Sequence, residues 1–476
     1  MKKLLLSTLT IGYLFASTPN ANTNNNTDIL LKNLTKEVNV LNKKIKTLNK
    51  QVKRNKRKIK ISERKFIRTR VKLNPIFTNS HLYLQYDLRT TGDYIHYKLN
   101  TGKKYTNNVF TNRVLLTGVS RPSNNLKATV VLEANNIFGM NSENQYSPYQ
   151  NIAWVTNETP DDTNIRLKEA FFNYTFGPNN GLLFSAGRRP ATEGYPMNLE
   201  YGDSPNSPLA HLVNMEFDGF SFLISNNVLD KIIPGIGQYG TNIKFCAGRG
   251  YSSSVGKFPV NNTPAYSKNK LGISDFAGFL LVPYDNGQFS IWSEDIWAWN
   301  LKGYNKTGQM DNLGDYFGSD LTFKFKGFGD GSNMFLFNTN AFIDIAYSKT
   351  MPYSGKQMQG TQNSKDGLSI WIGAQMPGLG SNDTFGLNYI HGSKYFRAMD
   401  YGEDTLIGSM ASVRGNAYDI YYNRQIIPHL TAGLRATYIN YNNSGSDGFF
   451  GISSDPNQPV YVDRAYDIRA YIRYKF

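Results

Sequence analysis

The sequence predicts a transmembrane antiparallel β-barrel of about 16 strands, within a range of about 14 to 18, preceded by a short N-terminal α-helical coiled coil. Three observations carry that expectation. From about residue 80, apolar and polar residues alternate with a period of two. The first residues have the layout of an export signal. Tyrosine and phenylalanine, 31 and 29 of 476 residues, gather at the ends of the alternating stretches, where membrane interfaces hold aromatic rings. After residue 16 no stretch approaches the ~20 consecutive apolar residues of a membrane-spanning helix, so a helical membrane protein is excluded.

Residues 1–21 read as a signal peptide: Lys2 and Lys3 precede an apolar run from Leu4 to Phe15, and small and polar residues follow. The mature chain then starts beyond the inner membrane, away from cytoplasmic nucleotides. Residues 28–60 carry a heptad repeat behind a Thr27-Asp28 N-cap. Its seam runs Leu34, Val38, Leu41, Ile45, Leu48, Val52, with β-branched residues at a, leucine at d and lysines on the outer positions. A narrow apolar seam with a basic back is the pattern of a self-associating helix, its repeat from Leu31 to Ile59 roughly 40 Å long at 1.5 Å per residue; the competing reading is a lone amphipathic helix lying on a membrane surface. The β-branched and leucine pattern leans toward two strands, although an attached domain can impose three.

The formal charge of +16 resembles that of a polyanion binder, but its distribution argues otherwise. Residues 1–72 hold 19 basic and three acidic residues, and residues 73–476 hold 33 of each. Nucleic acid is therefore not an expected partner. The basic density from Val52 to Lys72, which runs into a linker at 61–79, fits either a contact with anionic peptidoglycan or headgroups, or a solvated face. One cysteine, Cys246, rules out an internal disulfide framework and a cysteine-based zinc cluster.

Residues 80–476 form the expected barrel. In the last strand Tyr466, Ile468, Ala470, Ile472, Tyr474 and Phe476 alternate with Asp467, Arg469, Tyr471, Arg473 and Lys475, and Leu82 to Arg89, Leu126 to Glu133 and Leu430 to Tyr438 repeat the pattern. A soluble sandwich also alternates, but charge on the faces opposite the apolar ones suits a wet lumen inside a lipid-facing wall. The terminal Ile472, Tyr474 and Phe476 resemble the signal that barrels present to insertion machinery. Tight turns at 177–181 and 328–332 alternate with long polar segments at 136–163, 190–213, 250–268, 301–317, 351–366, 393–414 and 442–462.

Five histidines show no metal-ligand spacing, and no cofactor is implied. His391 and Ser393 share a strand face, as in outer-membrane lipid hydrolases, but no orienting carboxamide or carboxylate follows at strand spacing, so no catalytic residue is assigned. Arg188 and Arg189 stand at the root of the 190–213 segment. Opposite Glu193, Glu200 and Asp203 they would make a pore constriction with a slight anion preference; otherwise they tie the loop down. Arg113, Arg435, Asp467, Arg469 and Arg473 are further lumen-facing candidates, since inward charge is normal in a wet barrel.

Gly187-Arg188-Arg189-Pro190, Glu216-Phe217-Asp218-Gly219 and the run from Asn388 to Phe396 resemble a family of porin-like outer-membrane proteins of Gram-negative bacteria, catalogued as a domain of unknown function. The resemblance implies an outer-membrane location and a porin-like architecture without naming a solute. Porins with N-terminal coils are commonly trimers, which favours three subunits over two. The expected function is passive or weakly selective diffusion of small hydrophilic solutes or ions across the outer membrane, with the coil in the periplasm. The alternative is a barrel that anchors the outer membrane to the wall or displays loops for adhesion.

Overall fold

In a computed structural model of the chain, the described residues are 32, 35, 36, 38, 39, 82–138, 165–252, 272–380, 382–400, 407–446 and 450–476. The chain divides into two units, Met1–Ile76 and Phe77–Phe476. In the first, the described residues are helical and Val38 is 46% exposed. The signal peptide, the linker, the whole basic run from Val52 to Lys72 and the seam residues Leu34, Leu41, Ile45, Leu48 and Val52 lie outside the described residues.

The second unit is a closed antiparallel barrel of sixteen strands. They are β1 (Tyr83–Leu99), β2 (Lys104–Ser123), β3 (Leu126–Ile137), β4 (Arg166–Phe176), β5 (Leu182–Arg189), β6 (Phe217–Ile224), β7 (Asn242–Ser252) and β8 (Gly272–Asp285), followed by β9 (Phe289–Tyr304), β10 (Met310–Lys326), β11 (Asn340–Pro352), β12 (Lys365–Pro377), β13 (Thr384–Gly392), β14 (Gly415–Ile427), β15 (Leu430–Tyr441) and β16 (Val462–Lys475). Each strand pairs with its sequence neighbours, and β1 closes the ring on β16 from Asp87↔Lys475 to Leu99↔Val462. At the seam the Phe476 N–H donates to Tyr86 O (2.9 Å) and the Tyr86 ring packs on Tyr474 and Phe476. Closure satisfies every ladder, which a lipid-embedded sheet requires because hydrocarbon offers no hydrogen-bond partner.

Alternation decides which way each strand faces. On β1 Leu84, Tyr86, Leu88 and Tyr94 are exposed on the outer wall while Arg89, Thr91, Asp93 and Ile95 are buried inside. On β16 Ile468 and Ile472 are exposed and Asp467, Arg469, Tyr471 and Arg473 are buried. An apolar exterior around a polar interior is stable only with hydrocarbon outside, so the barrel is read as membrane-spanning.

The connections at the end that holds Tyr83 and Phe476 are short or compact: 124–125, 177–181, 286–288, 378–383, 428–429, and two segments carrying the helices α1 (Asn226–Ile232) and α2 (Met334–Phe337). Most longer connections leave the opposite end. The expected loop at 301–317 is instead mainly strand: Leu301 pairs with Gly314 and Gly303 with Asp311 around a tight turn at 305–309. Its glycines and asparagines resemble loop composition, but the ladder continues through them across two register shifts.

Candidate functional site in the lumen

Residues 190–213, between β5 and β6, fold into the barrel. Ala191, Thr192, Tyr195, Met197, Asn198, Glu200, Leu209, Ala210, His211 and Leu212 are all at most 6% exposed. A turn of 3₁₀-helix at Met197–Tyr201 ends on Gly202 with φ +67°, a left-handed cap that glycine adopts at little cost. The loop is anchored at its root: Gly187 and Gly219 pair across β5 and β6, and a Cβ on Gly187 (φ +120°) would lie 2.2 Å from Ala170 O. No other residue fits there without moving the backbone. The loop's far end is held by a parallel pairing of Val213–Asn214 with Met399–Asp400, where Asn214 Nδ2 donates to Asp400 Oδ1 at 2.9 Å.

One side of the loop meets inward arginines on the adjacent strands β15, β16, β1 and β2. Arg89 stands opposite Arg113 and Arg473 in the ladders, and Arg435 opposite Arg469. Carboxylates separate these like charges. Arg113 Nη2 lies 2.5 Å from Glu193 Oε1 and its Nε 3.5 Å from Glu133. Arg435 Nη1 lies 2.8 Å from Glu200 and its Nε 2.7 Å from Asp419. Arg469 lies 2.6 Å from Asp93 and 3.9 Å from Asp467, and Arg473 lies 2.7 Å from Asp203 while donating to Asp87. Arg89 stacks on the Tyr201 ring, 4.5 Å from its centroid.

The two loop glutamates respond oppositely to this setting. For Glu193, burial works against the charge, but Arg113 and Lys168 outweigh it and hold the carboxyl below its usual range. For Glu200, burial dominates and pushes the group up to about 7: Arg435 opposes the shift, while Asp419 shares that guanidinium and adds to it.

The loop's other side meets acids. Glu294 on β9 accepts the Leu209 N–H (2.7 Å), and Asp344 on β11 faces His211 Nδ1 at 2.9 Å. Lys324 sits over the rings of Tyr195 (3.8 Å) and Trp292 (3.5 Å). Since β9 is eight strands from β1 in a ring of sixteen, the acids stand across the lumen from the arginines. The arginines are interleaved with carboxylates on their own side of the ring, so the two sides differ in how their charges are paired.

The lumen-facing candidates Arg113, Arg435, Asp467, Arg469 and Arg473 all occupy inward positions, and Glu193, Glu200 and Asp203 pair with three of them, Arg113, Arg435 and Arg473, rather than with the Arg188-Arg189 pair. Arg189 is inward and 5% exposed. Arg188 falls on the outer face, where it grips Asp218 through two hydrogen bonds of 2.9 and 3.2 Å. The reason is strand parity: Ser185 and Arg189 share the inner face, so Arg188 shares the outer one. Of the two arginines expected at a constriction, Arg189 faces the lumen and Arg188 does not. Tyr474, Ile472 and Phe476 lie on the outer wall by the closing seam.

His391 Nδ1 contacts Asn416 Oδ1 (3.0 Å) on the outer face, and Ser393 Oγ accepts the Leu368 N–H, so the two are engaged separately. Sequence reasoning missed Arg89, His211, Glu294, Asp320 and Asp344. Strand parity alone could have found Asp320 and Asp344, which alternate with the outward Leu321, Phe323, Ile343 and Ile345. Buried Arg414 donates to the carbonyls of Phe396, Ser444 and Ser454 and so ties these three residues together.

Among solved structures the chain is similar to an anion-selective porin from Comamonas acidovorans, at 13% identity and a TM-score of 0.45, over 83% of this chain and 100% of that one. It is similar also to OprB of Pseudomonas putida, at 12% identity and 0.44 over 84% and 94%, and to OmpF of Salmonella typhi, at 12% and 0.44 over 84% and 98%. Comparison with curated proteins finds no match. The model of a family described as a protein of unknown function (DUF3373) matches residues 103–476, the greater part of the chain, and the chain belongs to that family.

Proposed function

We propose that the protein is a porin-like channel of the outer membrane, through which small hydrophilic solutes or ions pass the loop-narrowed lumen. The observation that carries this reading is a charged interior narrowed by an inserted loop: Arg89, Arg113, Arg435, Arg469 and Arg473 with their carboxylates on one side, Glu294, Asp320 and Asp344 on the other, and residues 190–213 between them. Inward charges of this density are costly in a barrel that only fills space, and they are the ordinary equipment of a filter. In this reading the end with short connections faces the periplasm, the N-terminal coil lies there, and residues 28–60 join copies into a homo-oligomer.

Planar-bilayer recording of the refolded full chain tests it. Stepwise conductance with a reversal potential displaced from zero in a salt gradient is expected. Silence under conditions where a general porin conducts would remove the channel reading.

A second reading is favoured by one observation, the depth at which the arginines lie: Arg435 and Arg469 are 5% and 3% exposed, as in a filled barrel. The barrel would then be an anchor, with the basic segment at Val52–Lys72 contacting peptidoglycan. Deleting residues 28–72 separates the two: a channel keeps its conductance, whereas an anchor loses its co-sedimentation with the wall.

A further inference from the structure

The tip of the loop carries His211 into a pocket between β10, β11 and β12, where it is fully buried. Its ring is fixed edge-on against Trp371 (5.6 Å) and beside Phe396 (5.7 Å). Nε2 lies 2.8 Å from Ser369 Oγ, and Ser369 Oγ donates its own proton to His391 O at 3.0 Å. The serine therefore accepts from Nε2–H, which fixes the tautomer. In a neutral imidazole Nδ1 then carries a lone pair, and it faces Asp344 Oδ1 at 2.9 Å, lone pair against carboxylate oxygen. A positive centre is needed between them.

A second carboxylate, Asp320, stands at the same place: one ligand atom each from His211, Asp320 and Asp344 lie within 4.8 Å of one another. Asp320 is 1% exposed and its Oδ2 has no hydrogen-bond partner. Thr322 Oγ1 has one proton for both acids and spends it on Asp344 Oδ2 at 3.1 Å, leaving Asp320 Oδ1 at 3.5 Å. Among the described residues no lysine or arginine makes an ion pair with either acid, and Lys324, the near ammonium, is held over aromatic rings. Two buried carboxylates without a cation and one oriented imidazole lone pair lack about two positive charges.

We propose that His211, Asp320 and Asp344 bind a divalent first-row transition-metal ion, which staples the loop to the acidic wall. One nitrogen and two carboxylate oxygens suit Zn²⁺, Mn²⁺ or Co²⁺. The 2.9 Å between Nδ1 and Asp344 Oδ1 fits two ligands about 2.05 Å from one ion at the right angle of a six-coordinate site; a tetrahedral site would spread them to about 3.3 Å, and a proton in place of the ion fits the same 2.9 Å. Ser369 on Nε2 is the outer partner that metal-bound histidines use to hold their orientation. The ion crosses from the loop to two strands and adds to the hold of the Leu209–Glu294 bond and the Val213–Asn214 pairing on this side of the loop.

The test uses the untagged full chain, refolded, stripped with EDTA, equilibrated with Zn²⁺ and desalted. About one zinc per chain is expected by elemental analysis, with at least tenfold weaker retention in Asp320→Asn and unchanged retention in His391→Ala, whose ring lies on the outer wall. Less than a tenth of a zinc per folded wild-type chain would overturn the proposal, since two protons would then supply the missing charge. Equal retention by folded Asp320→Asn would overturn it too. Should that variant not fold, the zinc absorption-edge spectrum of the wild type decides: a single imidazole in an oxygen shell supports the site, and sulfur from Cys246 or two imidazoles defeats it.

Discussion

The arginine wall and the acidic wall hold the same loop by opposite means. From β14 through β16 and β1 to β3 every carboxylate named above, whether on the loop or on a strand, has a guanidinium within 4 Å. On β9 to β11, among the described residues, no lysine or arginine makes an ion pair within 4 Å of Glu294, Asp320 or Asp344, and their hydrogen bonds from outside the group come from a backbone N–H, a threonine and an imidazole. One wall is electrostatically complete in the folded chain, whereas the other is complete only with added positive charge. A buried charge network tolerates the loss of a member badly, because the partner left behind stays desolvated. The two walls should therefore fail differently: the first under substitution, the second under chelation or a change of proton supply.

The largest expected effect is on the arginine wall. Arg435→Ala strands Glu200 and Asp419, both at most 4% exposed, and should lower the stability of the refolded barrel by about 3–5 kcal/mol in denaturant unfolding. Adding Glu200→Gln and Asp419→Asn should return much of that loss, because the stranded charges are gone. A single variant as stable as the wild type would mean that water reaches this cluster and that the wall is not dry.

Next in size is a dependence on pH. Glu200 has its folded value raised from 4.5 to about 7, chiefly by burial, with Arg435 pulling the other way. The folded state thus holds a proton that the unfolded chain has released. This contribution to stability is fully present below about pH 4.5 and is lost as pH rises through 7. The unfolding free energy of the wild type minus that of Glu200→Gln should fall across this window. A flat difference would show that Glu200 stays ionised beside Arg435. The arginine wall would then also be complete at low pH.

How much of this was legible in the sequence depends on range. Period-two alternation is local, so the strands at Leu84 to Leu88, Leu126 to Glu133 and Tyr466 to Lys475 follow directly from it, as does the inward side of Arg435, Arg469 and Arg473. The segment at 301–317 misleads because Gly303, Asn305, Gly308 and Gly314 are turn residues in composition, and only pairing with the neighbouring strand makes most of it extended. Glu200 with Arg435 and His211 with Asp344 are joined across 235 and 133 residues, by a loop whose inward fold depends on closure of the whole ring. No local pattern encodes such contacts. The residue types were visible, but their meeting was not.

The smallest effect separates two adjacent arginines. Arg189 points inward and is buried beside Cys246 Sγ (3.9 Å), whereas Arg188 points outward, its side chain 31% exposed, against Asp218 at 56%. Exposed pairs contribute only about 0–1 kcal/mol, so Arg188→Ala should barely change stability and should leave the reversal potential where it was. Arg189→Ala removes a positive charge from the lumen and should move that potential toward cation preference. The outer pair continues across the wall: Asp218 stands opposite Arg249, and Arg249 opposite Asp275 at 2.7 Å. These are side chains on the outer face, beyond the reach of a solute in the lumen. If Arg188→Ala shifted the potential as much as Arg189→Ala, parity would not separate inside from outside at the root of the loop. The contrast between the two walls would then have to be redrawn around the outer row of charge.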